Sequence, residues 1–135
     1  MNLSFGTESM RETDIDNETF YKMMAAKGIP TSSQPSIGEM VDEMISVVEM
    51  GDSLCCIFLS SEMSGTLSTA QLAKEMVLEK HENAKIEIVD SRSNCMQLGF
   101  AVIQAARAAK AGQTLEQVQS SGVREHKKKS LLIYP

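Results

Sequence analysis

The sequence predicts an α/β fold, a mainly parallel sheet with helices on both faces. Three observations predict it. Leu54-Cys55-Cys56-Ile57-Phe58-Leu59 is an unbroken apolar run, as expected of a strand buried on both sides. A second short apolar run, Lys85-Ile86-Glu87-Ile88-Val89, follows a stretch of helical period. Strands separated by helices imply βαβ crossovers, hence parallel pairing and helices on both faces. At 135 residues the chain fits one domain with a single core, and residues 1–135 are expected to form one α/β lobe.

In chain order, Leu3 to Phe5 is a short apolar start. Asp16 can cap a helix over about 17–27, with Gly28 as its stop. Ile29 to Ser36 reads as a turn-rich stretch. Ser36 and Glu39 have capping-box spacing and open a helix over about 37–50. Its apolar residues Val41, Met44, Ile45 and Val48 share a face, and Gly51 ends it. The strand at Ser53 to Ser60 leads through a hydroxyl-rich loop into a helix over about 65–80, with Leu67, Ala70, Ala73, Met76 and Val77 facing inward. The strand at Lys85 to Val89 ends in Asp90-Ser91-Arg92-Ser93. A helix over about 95–111 stops at Gly112, and the Thr114/Gln117 box opens another over about 115–127. Leu131 to Tyr134 reads as a further strand. Open parallel sheets usually hold more strands, so the sheet is expected to be incomplete at both ends of the chain.

Composition excludes several function classes. Thirteen basic against eighteen acidic residues give a charge of −5, which argues against nucleic-acid and anionic-membrane partners. The basic run Lys127-Lys128-Lys129 reads as a solvated helix end. No run of about 18 apolar residues is present, so no membrane span is expected. The first residues lack the features of a signal peptide, making a cytoplasmic location the expectation. Cys55 and Cys56 should point to opposite faces of their strand, and Cys95 stands alone. Without a CxxC or a Cys/His cluster, and with His81 and His126 isolated, neither a metal nor a cofactor is expected. Ten methionines should fill much of the interior, where their flexibility would also suit a floppy apolar ligand.

Two loops could carry chemistry, because ligands of open α/β sheets bind beyond the carboxyl ends of the strands. Ser60-Ser61-Glu62-Met63-Ser64-Gly65-Thr66 joins a buried strand to a helix start, where free N–H groups and the dipole favour an anion. Gly65 lets a ligand approach the backbone, and Ser64 and Thr66 add hydroxyl donors. The physics asks for a carboxylate or a phosphate without choosing. The plainer alternative is that Ser61 or Ser64 only caps the helix. Asp90-Ser91-Arg92-Ser93 follows the second strand and also reads as a cap. A nucleotide site is disfavoured because neither GxxxxGK[ST] nor GxGxxG occurs. A serine nucleophile has no GxSxG elbow, and no histidine follows a strand end to serve as base.

Four segments carry a family resemblance. Pro30-Thr31-Ser32-Ser33-Gln34-Pro35-Ser36 resembles the TSQPS-type motif of the DegV family, and Ser60 to Thr66 resembles its SSxxSGT motif. Ile88-Val89-Asp90-Ser91 resembles its (I/V)DS strand end. Phe5-Gly6, with Arg11 to Asp16 and Phe20-Tyr21, resembles the stretch leading to its first helix. The resemblance implies a lobe that binds a long-chain fatty acid, its carboxylate held by hydroxyls of the two loops, with Ser32, Ser33, Ser64, Gly65 and Thr66 as ligand-binding residues. The lipid-contacting threonine of the first motif falls on Ser32, which keeps the hydroxyl and loses a methyl. The resemblance also implies a carrier that presents its lipid to a separate fatty-acid kinase and is not itself an enzyme. Against the family pattern, the chain begins after the Asp-Ser-Thr-Ala-Asp-type first strand and stops before the second lobe. The competing readings are a serine-dependent hydrolase, and a structural lobe that forms homo-oligomers through exposed sheet edges.

Overall fold

A computed structural model describes residues 1–128, with side chains through residue 122. The expected Leu131–Tyr134 strand and Lys129 of the basic run lie outside the described residues, as do the side chains of His126, Lys127 and Lys128. The backbone divides into two compact units, residues 1–36 and 37–135.

The first unit is a small antiparallel sheet followed by a helix. β1 (Asn2–Phe5) pairs with β2 (Glu8–Arg11) on one side and β3 (Thr31–Ser33) on the other. Gly6 makes the tight turn between β1 and β2 at a φ of 62°, a conformation that glycine adopts without a Cβ clash. Leu3 and Phe5 are buried on β1, and the Phe5 ring meets Phe20 of α1 (Asn17–Lys27) edge-on at 6.1 Å. Asp16 caps α1 as expected: its carboxylate accepts from the Thr19 N–H at 2.9 Å and the Thr19 hydroxyl at 2.7 Å. Those bonds favour the ionised form and hold the Asp16 carboxyl below the usual carboxylate range. Gly28 closes the helix at a φ of 87°.

The second unit carries the parallel pair. β4 (Leu54–Phe58) runs beside β5 (Ile86–Asp90), Leu54 opposite Ile86 and Phe58 opposite Asp90, with α3 (Thr66–Lys80) as the crossover. Because β4 is apolar on both sides, each face buries a layer. Cys56 and Phe58 join Met40, Met44, Ala73 and Val77 from α2 (Ile37–Glu49) and α3. On the opposite face, Cys55 and Ile57 join Ala105, Ala108 and Val118 from α4 (Cys95–Lys110) and α5 (Leu115–Lys128). The two cysteines therefore point apart as expected. Small residues let α5 approach closely: a Cβ on Gly122 would stand 3.1 Å from the tip of Ile57. The Thr114/Gln117 box forms as read, the Thr114 N–H donating to Gln117 Oε1 at 3.0 Å.

The α/β fold with its parallel pair forms as expected; two expectations are corrected, and the sheet gains a separate antiparallel part. Thr31 to Ser33 is an edge strand, not a turn, since β-branched Thr31 favours extended backbone and β1 offers it a pairing edge. The sheet of the first unit is antiparallel, so parallel pairing belongs to β4 and β5 alone among the described residues. Methionine fills less of the interior than expected: Met40 and Met44 are buried, but Met50, Met63, Met76 and Met96 are exposed. Met76 sits about 100° around α3 from buried Val77, which takes it off the Leu67, Ala70, Ala73, Val77 stripe.

Candidate functional site

Parallel pairing brings the loops after β4 and β5 to the same pole of the second unit. There the strand pairing is extended by loop hydrogen bonds: the Ser91 N–H donates to Phe58 O at 3.0 Å, and the Ser60 N–H to Ser93 O at 2.9 Å. Ser60, Ser91 and Ser93 are all buried. The Ser91 hydroxyl donates to Ser93 O at 3.1 Å and accepts from the Ser93 N–H at 3.2 Å, so these buried polar atoms are satisfied within the loop.

The Ser60 carbonyl accepts from the Met63 N–H at 3.0 Å and the Ser64 N–H at 3.2 Å, closing a tight turn. That turn delivers Ser64 to the start of α3. Half-buried Ser64 shares a 2.7 Å hydrogen bond with the Thr66 hydroxyl, and its Oγ accepts from the Thr66 N–H at 3.2 Å. Gly65, and not Ser64 or Ser61, stands at the N-cap of α3 and no side chain caps the helix there, so Ser64 does not act as the cap of the plainer alternative. Its pairing with Thr66 sets two hydroxyls side by side where the first N–H groups of a helix point outward. Gly65 beside them is exposed and carries no side chain. One proton of the pair is spent between the two hydroxyls, and the other remains a donor at the positive end of a helix dipole, where it is suited to an anionic oxygen.

Asp90 was missed as anything but a cap. Its Oδ2 accepts from the Ser61 hydroxyl at 2.6 Å, and its Oδ1 accepts from the Arg92 N–H at 2.8 Å and the Ser61 N–H at 3.3 Å. The Ser61 hydroxyl is the main reason the Asp90 carboxyl lies below the usual carboxylate range. Partial burial opposes it, and the two N–H groups and the Arg92 charge add to it. Arg92 and Cys95 both hold left-handed backbone, with φ of 49° and 46°. Each such residue costs about 1–3 kcal/mol, so the surrounding bonds must hold the loop in place. The signal available in the sequence was an Asp at the end of one parallel strand and a Ser just after its neighbour.

Ser32 and Ser33 are exposed on β3 of the first unit, Ser32 opposite Leu3 and Ser33 opposite Asn2. The nucleophilic alternatives fare poorly. His81 follows the last turn of α3 while Ser64 precedes its first, which separates them by about 20 Å along the axis. Burial pushes the Cys56 thiol up to about 11, and it also raises Cys55, so neither is a thiolate at neutral pH. No group of His, Cys, Asp and Glu among the described residues could hold a metal. A recess of about 760 Å³ lined by Cys55, Ile57, Val102 and Ala106 has Ser53 and Lys85 on its rim. Those two residues precede β4 and β5, so the recess extends toward the pole opposite Ser64.

The family model described as uncharacterised protein, DegV family, matches residues 1–135. The chain belongs to the DegV family. A DegV domain-containing protein of Clostridium acetobutylicum is 56% identical over 135 residues, which are 100% of this chain and 47% of that protein. The chain therefore spans about half the length of this relative. A solved stearic acid-binding protein from Eubacterium ventriosum superposes with a TM-score of 0.78 at 30% identity, over 88% of this chain and 42% of that one. The Fak B3 protein of the Streptococcus pneumoniae fatty acid kinase, solved loaded with linoleic acid, shares the DegV fold at a TM-score of 0.75 and 20% identity, over 91% of this chain and 43% of its own. No helix among the described residues of this DegV chain is long and apolar enough to cross a membrane.

Proposed function

We propose that this chain binds a long-chain fatty acid through Ser64, Gly65 and Thr66, as a cytoplasmic carrier that presents the lipid to a fatty-acid kinase and does not turn it over. The observation that carries the reading is the Ser64–Thr66 hydroxyl pair at the start of α3, in a chain 30% identical to a stearic acid-binding protein of the same fold. Ser32 and Ser33 remain ligand residues in this reading because of their place in the first motif. Energetics divide the labour. Each buried methylene contributes about 0.8 kcal/mol, so a long tail supplies on the order of 10 kcal/mol gross. A hydrogen bond to the charged head contributes about 1.5–3 kcal/mol. The tail sets affinity, and the hydroxyls set where the carboxylate sits. Denaturing extraction of the purified chain followed by mass spectrometry tests the proposal. Recovery of saturated or unsaturated long-chain fatty acid is expected, and an extract without lipid from a chain that also fails to bind added stearate would overturn it.

One observation favours a second reading. Among the described residues β4 and β5 pair only with each other, which leaves each with an outer edge that could template another strand. Self-association through those edges predicts a larger species in size-exclusion chromatography whose population is independent of added lipid.

A further inference from the structure

We infer that Asp90 is a positioning residue of the site: it clamps Ser61 and, through the Ser60–Ser64 turn, places the Ser64 hydroxyl, leaving Ser61 as part of the loop and not a ligand for the head group. The inference rests on the fatty-acid reading of Ser64. Three bonds reach one carboxylate from two loops: the Ser61 hydroxyl at 2.6 Å, the Arg92 N–H at 2.8 Å and the Ser61 N–H at 3.3 Å. Ser61 is the first residue after the buried Ser60, whose carbonyl closes the turn on the Met63 and Ser64 N–H groups. Fixing Ser61 therefore fixes the start of the turn that ends at Ser64. The same carboxylate holds Arg92 in its left-handed conformation. An ionised carboxylate only accepts hydrogen bonds, so Asp90 commits the Ser61 proton and removes that hydroxyl as a donor to any ligand.

Amide hydrogen exchange and stearate titration on the wild-type chain, Asp90→Ala and Asp90→Asn test this together. In Asp90→Ala the Ser61, Met63, Ser64 and Arg92 amides should exchange about tenfold faster or more, while β4 and β5 amides keep their protection. Stearate affinity should fall by a similar factor. Asp90→Asn should restore both, since its carbonyl oxygen can accept the two N–H groups and its amide can donate to the Ser61 oxygen. Loop exchange unchanged in Asp90→Ala, or Asp90→Asn as impaired as Asp90→Ala, would overturn the inference. If Asp90→Ala does not fold, Ser61→Ala reads the same loop by removing the shortest bond. A wild-type chain that binds no stearate would sink the fatty-acid reading alone, with the clamp still decided by exchange.

Discussion

In the unit of residues 1–36, Ser32 and Ser33 lie exposed on an edge strand and are placed by a backbone ladder to β1. In the unit of residues 37–135, Ser60, Ser91 and Ser93 are buried, Ser61 is held by Asp90, and Ser64 is paired with Thr66. The same residue type is thus used in two ways. On β3 the serines leave their hydroxyls to solvent. Around β4 and β5 the hydroxyls are hydrogen-bonded within the protein, which fixes their geometry before any ligand arrives. At the Ser64–Thr66 pair one proton is left over on an oxygen already held in place, and a preorganised donor loses less entropy on binding than one that must be ordered. On the fatty-acid reading, the hydroxyl left at Ser64 and Thr66 should therefore matter more to head-group binding than those of Ser32 and Ser33.

The largest effect should come from the layer beneath the loops. Ile86 is 3% exposed in the α2/α3 core, and Ile86→Ala should destabilise the chain by about 2–5 kcal/mol in urea denaturation. A loss well below that would mean β5 is loosely packed and cannot hold Asp90 in register. Next in size, Ser64→Ala should weaken stearate binding by about 1–3 kcal/mol by calorimetric titration. Unchanged affinity there would remove Ser64 from the site. Ser32→Ala, which takes away an exposed hydroxyl, should cost about 0.5–1.5 kcal/mol of binding. A larger effect than that of Ser64→Ala would invert the comparison. The smallest effect concerns acid. The Asp16 carboxyl is held below its ordinary value in the folded chain, so its capping of α1 is present at neutral pH and is lost as pH falls through the folded titration point. Thermal melts of Asp16→Asn should therefore lose part of the wild-type dependence on pH in the acid range, and an identical dependence in both would show that the cap carries no linkage.

Much of this arrangement was legible from residue pattern. The apolar run of β4 announced a strand buried on both faces, and Asp16, Gly28 and the Thr114/Gln117 box marked helix ends that formed where expected. Those signals are local, so a single sequence carries them. What escaped were partnerships between distant segments. Nothing local to Thr31–Ser33 reveals that β1 lies alongside to accept it as a strand. Met76 is an exception of a local kind: placed with the apolar face of α3, it lies about 100° around the helix from Val77 and is exposed. Asp90 and Ser61 are 29 residues apart, and their bond exists because parallel pairing sets the two strand ends side by side. The signal, an Asp at one strand end and a Ser just after the other, gains its meaning only once the two strands are known to pair.

The claim on which the account turns is that the Ser64 loop reads a carboxylate and not merely an apolar chain. Titrating stearic acid and octadecan-1-ol against the wild-type chain and Ser64→Ala addresses it most directly. The wild-type chain should prefer the acid by about tenfold or more, and Ser64→Ala should lose most of that preference while holding the alcohol as before. Equal affinity of the wild-type chain for acid and alcohol would contradict the claim.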